Sequence, residues 1–128
     1  MTVPVADHDL IARKIVDSAF AVHSTLGPGL LESVYEQCLA AELSIRNVPV
    51  LRQVAVPLTY RHLHFDAGFR IDLLVSESVV VEVKATEKIL PIHEAQLLTY
   101  LKLTGHRLGF LINFNVPLIK DGIKRRIR

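Results

Sequence analysis

The stretch Phe69-Arg70-Ile71-Asp72-Leu73-Leu74-Val75, followed after Ser76-Glu77-Ser78 by Val79-Val80-Val81-Glu82-Val83-Lys84, governs the reading of this chain. Both runs are apolar and largely β-branched, and a polar triplet separates them, so they form a hairpin centred on Glu77. Antiparallel register about that centre sets Asp72 opposite Glu82, with Cβ atoms roughly 5 Å apart on one face. Lys84, two residues beyond Glu82, points to the same face. Two like charges placed together cost energy unless something positive holds them, and a divalent cation is the usual answer. The lysine then stands where it can position a water or help deprotonate it.

Before the hairpin, Leu10, Ile11, Ile15, Ala19 and Val22 recur at helical spacing behind Asp7, a candidate N-cap. They predict a helix over about 8–24, closed by Gly27-Pro28-Gly29. Leu31, Val34, Cys38, Leu39 and Leu43 predict a second helix over about 31–46, ended by Asn47-Val48-Pro49. Residues 50–60 alternate like a strand, and Pro57 places that strand at an edge or near its end. The first arm of the hairpin is long or bulged, from His64 to Val75. After it, Pro91 starts a third helix running to about Thr104, with Gly105 as its stop. Arg107 to Asn113 reads as a strand, and Leu118 to Arg126 as a further, weaker one. Gly68 and Gly109 relieve crowding in or beside strands. The order α-α-β-β-β-α-β is an α/β sandwich with a mixed, mostly antiparallel central sheet, the third helix allowing a crossover to a parallel neighbour.

The 128 residues make one domain, long enough to bury a core. Half are hydrophobic and 22% charged, within the range of soluble globular proteins. No apolar run approaches a membrane span, and the first ten residues lack the order of a signal peptide, so the expected location is cytoplasmic. Cys38 is the lone cysteine, which excludes an internal disulfide and any Cys-based cluster built from this chain alone; it reads as a small buried helix residue. Lys120, Lys124, Arg125, Arg126 and Arg128 crowd the last nine residues against Asp121. They form either a solvated tail or, beside a metal site, a grip on a phosphate backbone.

Glu32 and Glu36 lie four apart on the second helix and project from one face, with Tyr35 flanking them. A helical glutamate pair is commonly just solvated surface. Here a third carboxylate would complete the oxygen-rich shell that magnesium requires, and Glu32 sits at a helix start, where the dipole favours it. His93, Gln96 and Tyr100 share a stripe of the third helix. Gln96 can hydrogen-bond the site lysine or a phosphate. Tyr100 is either core or a residue that steadies Gln96 or stacks on a base. His62 and His64 alternate on a strand without a third ligand and read as exposed residues near a turn.

Helical Glu, then Asp72, then Glu82-Val83-Lys84, then Gln96-x-x-x-Tyr100 resembles the PD-(D/E)XK nuclease superfamily in content and order. More narrowly, Gly29-Leu30-Leu31-Glu32-Ser33-Val34-Tyr35 resembles the signature of the GxxExxY proteins, and this likeness extends from the first helix to about Ile123. The resemblance implies a restriction-endonuclease-like fold and a Mg²⁺- or Mn²⁺-dependent nuclease acting on nucleic acid, DNA in preference to RNA. It further implies Asp72 and Glu82 as metal ligands with the Val83 carbonyl as a third. Lys84 would position the attacking water, and Glu32, or next Glu36, would complete the acidic shell. Ile71 stands where the superfamily's name has proline, a position that holds no chemistry. Two other readings stay open: a non-catalytic nucleic-acid-binding or regulatory module, and an interaction subunit whose charged cluster is structural. In a domain this small, specificity is expected from a second copy or a partner protein.

Overall fold

A computed structural model describes residues 5–128, in the order α1 (Val5–Leu26), α2 (Glu32–Ile45), β1 (Val50–Tyr60), β2 (Leu63–Val75), β3 (Val79–Lys84), α3 (Pro91–Thr104), β4 (Leu108–Asn113), a 3-10 turn (Ile119–Gly122) and β5 (Ile123–Ile127). The five strands form one sheet in the order β1-β2-β3-β4-β5. All neighbours are antiparallel except β3 and β4, which α3 joins as a crossover. This is the expected α/β architecture, with the weaker last strand present but shortened by the turn before it. Asp7 lies inside the first turn of α1 rather than capping it, because the helix extends further towards the N-terminus than the apolar spacing marks. No helix among the described residues is long and apolar enough to cross a membrane.

The sheet separates two cores. Val79, Val81 and Val83 of β3 pack with Phe110 and Ile112 of β4 beneath α1 and α2, against Ile15, Ala19, Leu39 and Leu43. Val80 and Leu111 face the other way, onto Leu97 and Leu101 of α3. Because β3 and β4 are covered on both sides, every residue of β4 is buried, and such strands read as unbroken apolar runs rather than alternating ones. Glycine lets the layers close: a Cβ at Gly109 would come 2.8 Å from Leu97. Cys38 is half-buried and packs against the α1–α2 core. The hairpin turn takes positive φ at both Ser76 (51°) and Glu77 (57°), the sign that matches strand twist in tight hairpins.

The alternation of faces breaks at one place in the sheet. In β2, Leu73 and Val75 belong to the α1–α2 core, yet Ile71 and Phe69, at the same alternate positions, belong to the α3 side. In β1, Val50 sits with the first core and Val54 and Val56 with the second. A regular strand keeps such positions on one face. The reversal falls between the pairs Arg52↔Leu73 and Val54↔Ile71, where Gln53 lies opposite Asp72 and adopts φ 53°. The β1–β2 ribbon turns over at this step.

Candidate active site

Asp72 sits at that reversal. The β2–β3 ladder runs Val75↔Val79, Leu74↔Val80, Leu73↔Val81, the register centred on Glu77, and there the regular pairing stops. At the next step side chains replace it. Glu82 Oε2 accepts the Asp72 backbone N–H at 2.9 Å, and Asp72 Oδ2 accepts the Val83 backbone N–H at 2.9 Å. The two carboxylates are thus held together by reciprocal bonds to each other's strands. Glu82 is only 5% exposed.

This arrangement is electrostatically uncomfortable. Burial raises the Asp72 pKa to about 6; the Val83 N–H and Lys84 oppose the rise, while Glu36 and then Glu32 add to it. Burial and the neighbouring Asp72 push Glu82 up to about 8, against the Asp72 N–H and Lys84. Lys84, half-buried on the same side of β3, acts on both groups, yet among the described residues it forms no ion pair. At neutral pH the pair therefore cannot be fully ionised without added positive charge.

The helical glutamates separate. Glu32 is exposed at the start of α2, whereas Glu36, one turn on, is buried. Arg52 Nη2 donates to Glu36 Oε2 at 2.9 Å and Gln53 Nε2 to Glu36 Oε1 at 2.7 Å. Gln53 Nε2 also approaches Asp72 Oδ1 at 3.4 Å, linking the helix to the strand pair. Tyr35 fixes this helix in place. Its ring stacks on Phe114 at 4.7 Å, and its hydroxyl donates to Gly27 O at 2.6 Å and accepts the Leu30 N–H at 3.1 Å. The Tyr35 hydroxyl thus ties the first coil of α2 to the turn at Gly27 and Leu30. Among the described residues no three His, Cys, Asp or Glu side chains form a ready cluster of ligands. Both oxygens of Glu36 are engaged by Arg52 and Gln53.

On α3, Tyr100 stacks against Phe69 at 4.3 Å, and its hydroxyl pKa rises through burial and the negative field of Glu82 and Asp72. Gln96 is exposed, so burial imposes no demand on it; it opposes the rise in the Tyr100 pKa. His93 leaves the stripe: its Nδ1 accepts the Leu90 N–H at 3.0 Å and caps the helix. His64 pairs with Thr59 and Asp66, and both it and His62 are exposed. The C-terminal cations are not a free patch. Arg125 pairs with Asp9 at 3.2 Å and Arg126 with Glu94, while Lys120 is exposed and Lys124 half-buried on the edge.

Two groups near the site carry little signal in the sequence. Gln53 and Arg52 show only strand alternation, and both are exposed, so nothing local marks them as partners of Glu36. Asn113 lies beside Lys84 in the β3–β4 register, fully enclosed. Its side chain accepts the Thr86 N–H at 3.0 Å and donates to Thr86 O at 2.9 Å, pinning the loop that follows Lys84.

Three helices on a five-stranded mixed sheet, with the acidic pair and lysine on the adjacent interior strands β2 and β3, define a restriction-endonuclease-like α/β protein. A model of the PD-(D/E)XK nuclease superfamily matches residues 9–126, and the chain belongs to that superfamily. Comparison with curated proteins and with solved structures finds no match.

Proposed function

We propose that the protein is a Mg²⁺- or Mn²⁺-dependent phosphodiesterase acting on nucleic acid, DNA in preference to RNA, and within the superfamily one of the GxxExxY proteins. The observation that carries this reading is the reciprocally bonded Asp72–Glu82 pair with Lys84 beside it. A structural ion pair would join opposite charges; here two acids are held together with raised pKa values.

The donor set suits a hard cation. Oxygen donors alone converge, and Glu82 Oε1 has no hydrogen-bond partner among the described residues. Asp72 and Glu82 would hold the ion, with the Val83 carbonyl as a further oxygen donor. Glu36 would serve once Gln53 or Arg52 releases it, with Glu32 the alternative from the helix start. When bound, such an ion polarises a phosphoryl oxygen and acidifies nearby water. Hydrolysis forms one phosphorus–oxygen bond and breaks another, and negative charge grows on the phosphoryl oxygens between. Lys84 is placed to orient the attacking water and offset that charge. Gln96 and Tyr100 would flank the strand from α3. Glu82 must give up its proton to become a ligand, so cation uptake strengthens as pH rises towards about 8.

The test is cleavage of plasmid and oligonucleotides with Mg²⁺ or Mn²⁺ by wild type, Asp72→Ala and Lys84→Ala. Metal-dependent cleavage lost in both variants is the expected result. Folded wild type that cuts no form of nucleic acid, or variants that cut as well, would sink it. One observation favours a second reading, a binding module that retains the fold: Arg52 and Gln53 occupy both Glu36 oxygens. Salt-sensitive binding indifferent to EDTA and to Asp72→Ala would select that alternative.

A further inference from the structure

The β1–β2 ribbon runs on past the body of the protein. From Pro57 to Gly68 all residues but Leu58 are exposed, and Leu58 itself is only half-buried. The register changes between Val56 and Leu58, at Pro57, and a Cβ on Gly68 would come 2.5 Å from the Leu58 Cβ, so the strands stay in close contact as they leave the sheet. Beyond that point Leu58 pairs with Phe65, Thr59 with His64 and Tyr60 with Leu63. Alternation puts Leu58, Phe65, Tyr60 and Leu63 on one side, and Thr59 with His64 on the other.

One side of this arm is therefore apolar and uncovered: Tyr60 is 61% exposed, Leu63 48% and Phe65 47%. Two-stranded arms are marginal by themselves, and soluble chains rarely leave such a face bare without a use. The charge around it identifies the occupant. From Pro57 to Ile71 the ribbon carries Arg61 and Arg70 against one carboxylate, Asp66, which lies 3.3 Å from His64; Arg52, further in, is taken up by Glu36. At the tip the Arg61 guanidinium stands 5.5 Å from the Tyr60 ring centroid, cation and aromatic together. A basic, aromatic surface suits a polyanion whose bases present flat faces, and only unpaired nucleotides expose those faces. The four apolar side chains at the tip are few for a stable dimer, which covers about 20 or more residues on each side.

We infer that the β1–β2 arm is a stacking platform for unpaired nucleotides, with Tyr60 and Phe65 taking bases and Arg61 the backbone beside them. This rests on the nuclease reading and narrows its substrate to single-stranded or frayed nucleic acid. Inward of the register change at Pro57 the same two strands run back to Gln53 and Asp72, so a strand gripped on the arm lies along the ribbon that carries the acidic pair. Inward of the arm, Val54, Val56 and Phe69 pack on the α3 side, where Phe69 stacks on Tyr100.

The test uses the whole chain in EDTA, with a fluorescein-labelled oligothymidylate and a duplex of equal length. Fluorescence anisotropy should show tighter binding of the single strand. Tyr60→Ala and Phe65→Ala should each weaken it about tenfold, with Tyr60→Phe restoring it. Arg61→Ala should lower the slope of log affinity against log salt by about 0.7. The chain has no tryptophan, so Phe65→Trp installs a single indole, excited selectively above the three tyrosines, and stacking should quench it. Alanine variants that bind like wild type, a duplex bound more tightly, or indole emission that the oligothymidylate leaves unquenched would overturn the inference. So would a dimer in sedimentation velocity that Tyr60→Ala dissociates. Cleavage with Mn²⁺ that survives those failures leaves the hydrolytic reading standing. Stacking without any cleavage removes the hydrolytic reading and leaves the arm.

Discussion

Two charged clusters lie on this sheet, and they have opposite characters. On β5, at one edge, each arginine that approaches the body meets a carboxylate: Arg125 finds Asp9 and Arg126 finds Glu94. Near the centre, Asp72 and Glu82 meet each other, and both become reluctant to ionise. Opposite charges brought together from distant parts of a chain fasten it. Like charges brought together and held there weaken it unless a further ion arrives. Under the proposed function, this difference separates structural charge from functional charge more surely than residue type does, since both clusters consist of ordinary Asp, Glu, Lys and Arg.

The comparison can be broken most sharply at Lys84. Lys84→Ala should reduce metal-dependent cleavage by at least about 100-fold while the fold melts as wild type does; single-turnover cleavage and calorimetry give the two readouts. Next comes the bridge between helix and strand. Glu36→Gln should weaken Mn²⁺ binding, measured by titration calorimetry, about tenfold, whereas Gln53→Ala, which frees a Glu36 oxygen, should not weaken it. Equal affinity in Glu36→Gln would remove Glu36 from the site.

Linkage sharpens the contrast further. Asp72 and Glu82 have pKa values raised above those of the unfolded chain, so each contributes stability that is complete below about pH 4. That stability is lost as pH rises through about 6 for Asp72 and about 8 for Glu82. In EDTA the melting temperature should therefore fall from pH 5 to pH 9. Glu82→Gln, which keeps an oxygen for the Asp72 N–H, should flatten that fall and raise Tm at pH 8 by about 5 °C. Mn²⁺ should raise Tm of wild type more at pH 8 than at pH 6. At the β5 edge the expected effect is smallest: Arg126→Ala should cost about 0.5 kcal/mol in urea unfolding and leave cleavage unchanged. A loss of cleavage there would make the edge part of the substrate surface.

Much of this architecture was legible along the chain because its signals are local. Alternation marked β1, β-branched or apolar runs marked β2 to β4, Pro91 and Gly105 bounded α3, and the polar triplet about Glu77 set the hairpin register. Since a side chain's face alternates with each residue, that register alone put Asp72 opposite Glu82 and Lys84 on the same side of β3. The rest depended on packing. A four-residue helical spacing aims Glu32 and Glu36 the same way, and only the docking of α2 against β1 buries the second and leaves the first in solvent. The reversal at Gln53 is a left-handed backbone at a non-glycine residue, which no side-chain pattern announces. The pairing of Arg125 with Asp9 joins residues 116 apart in sequence. Local chemistry chose the elements and the hairpin partners; long-range burial chose which charges would be answered and which would be left facing each other.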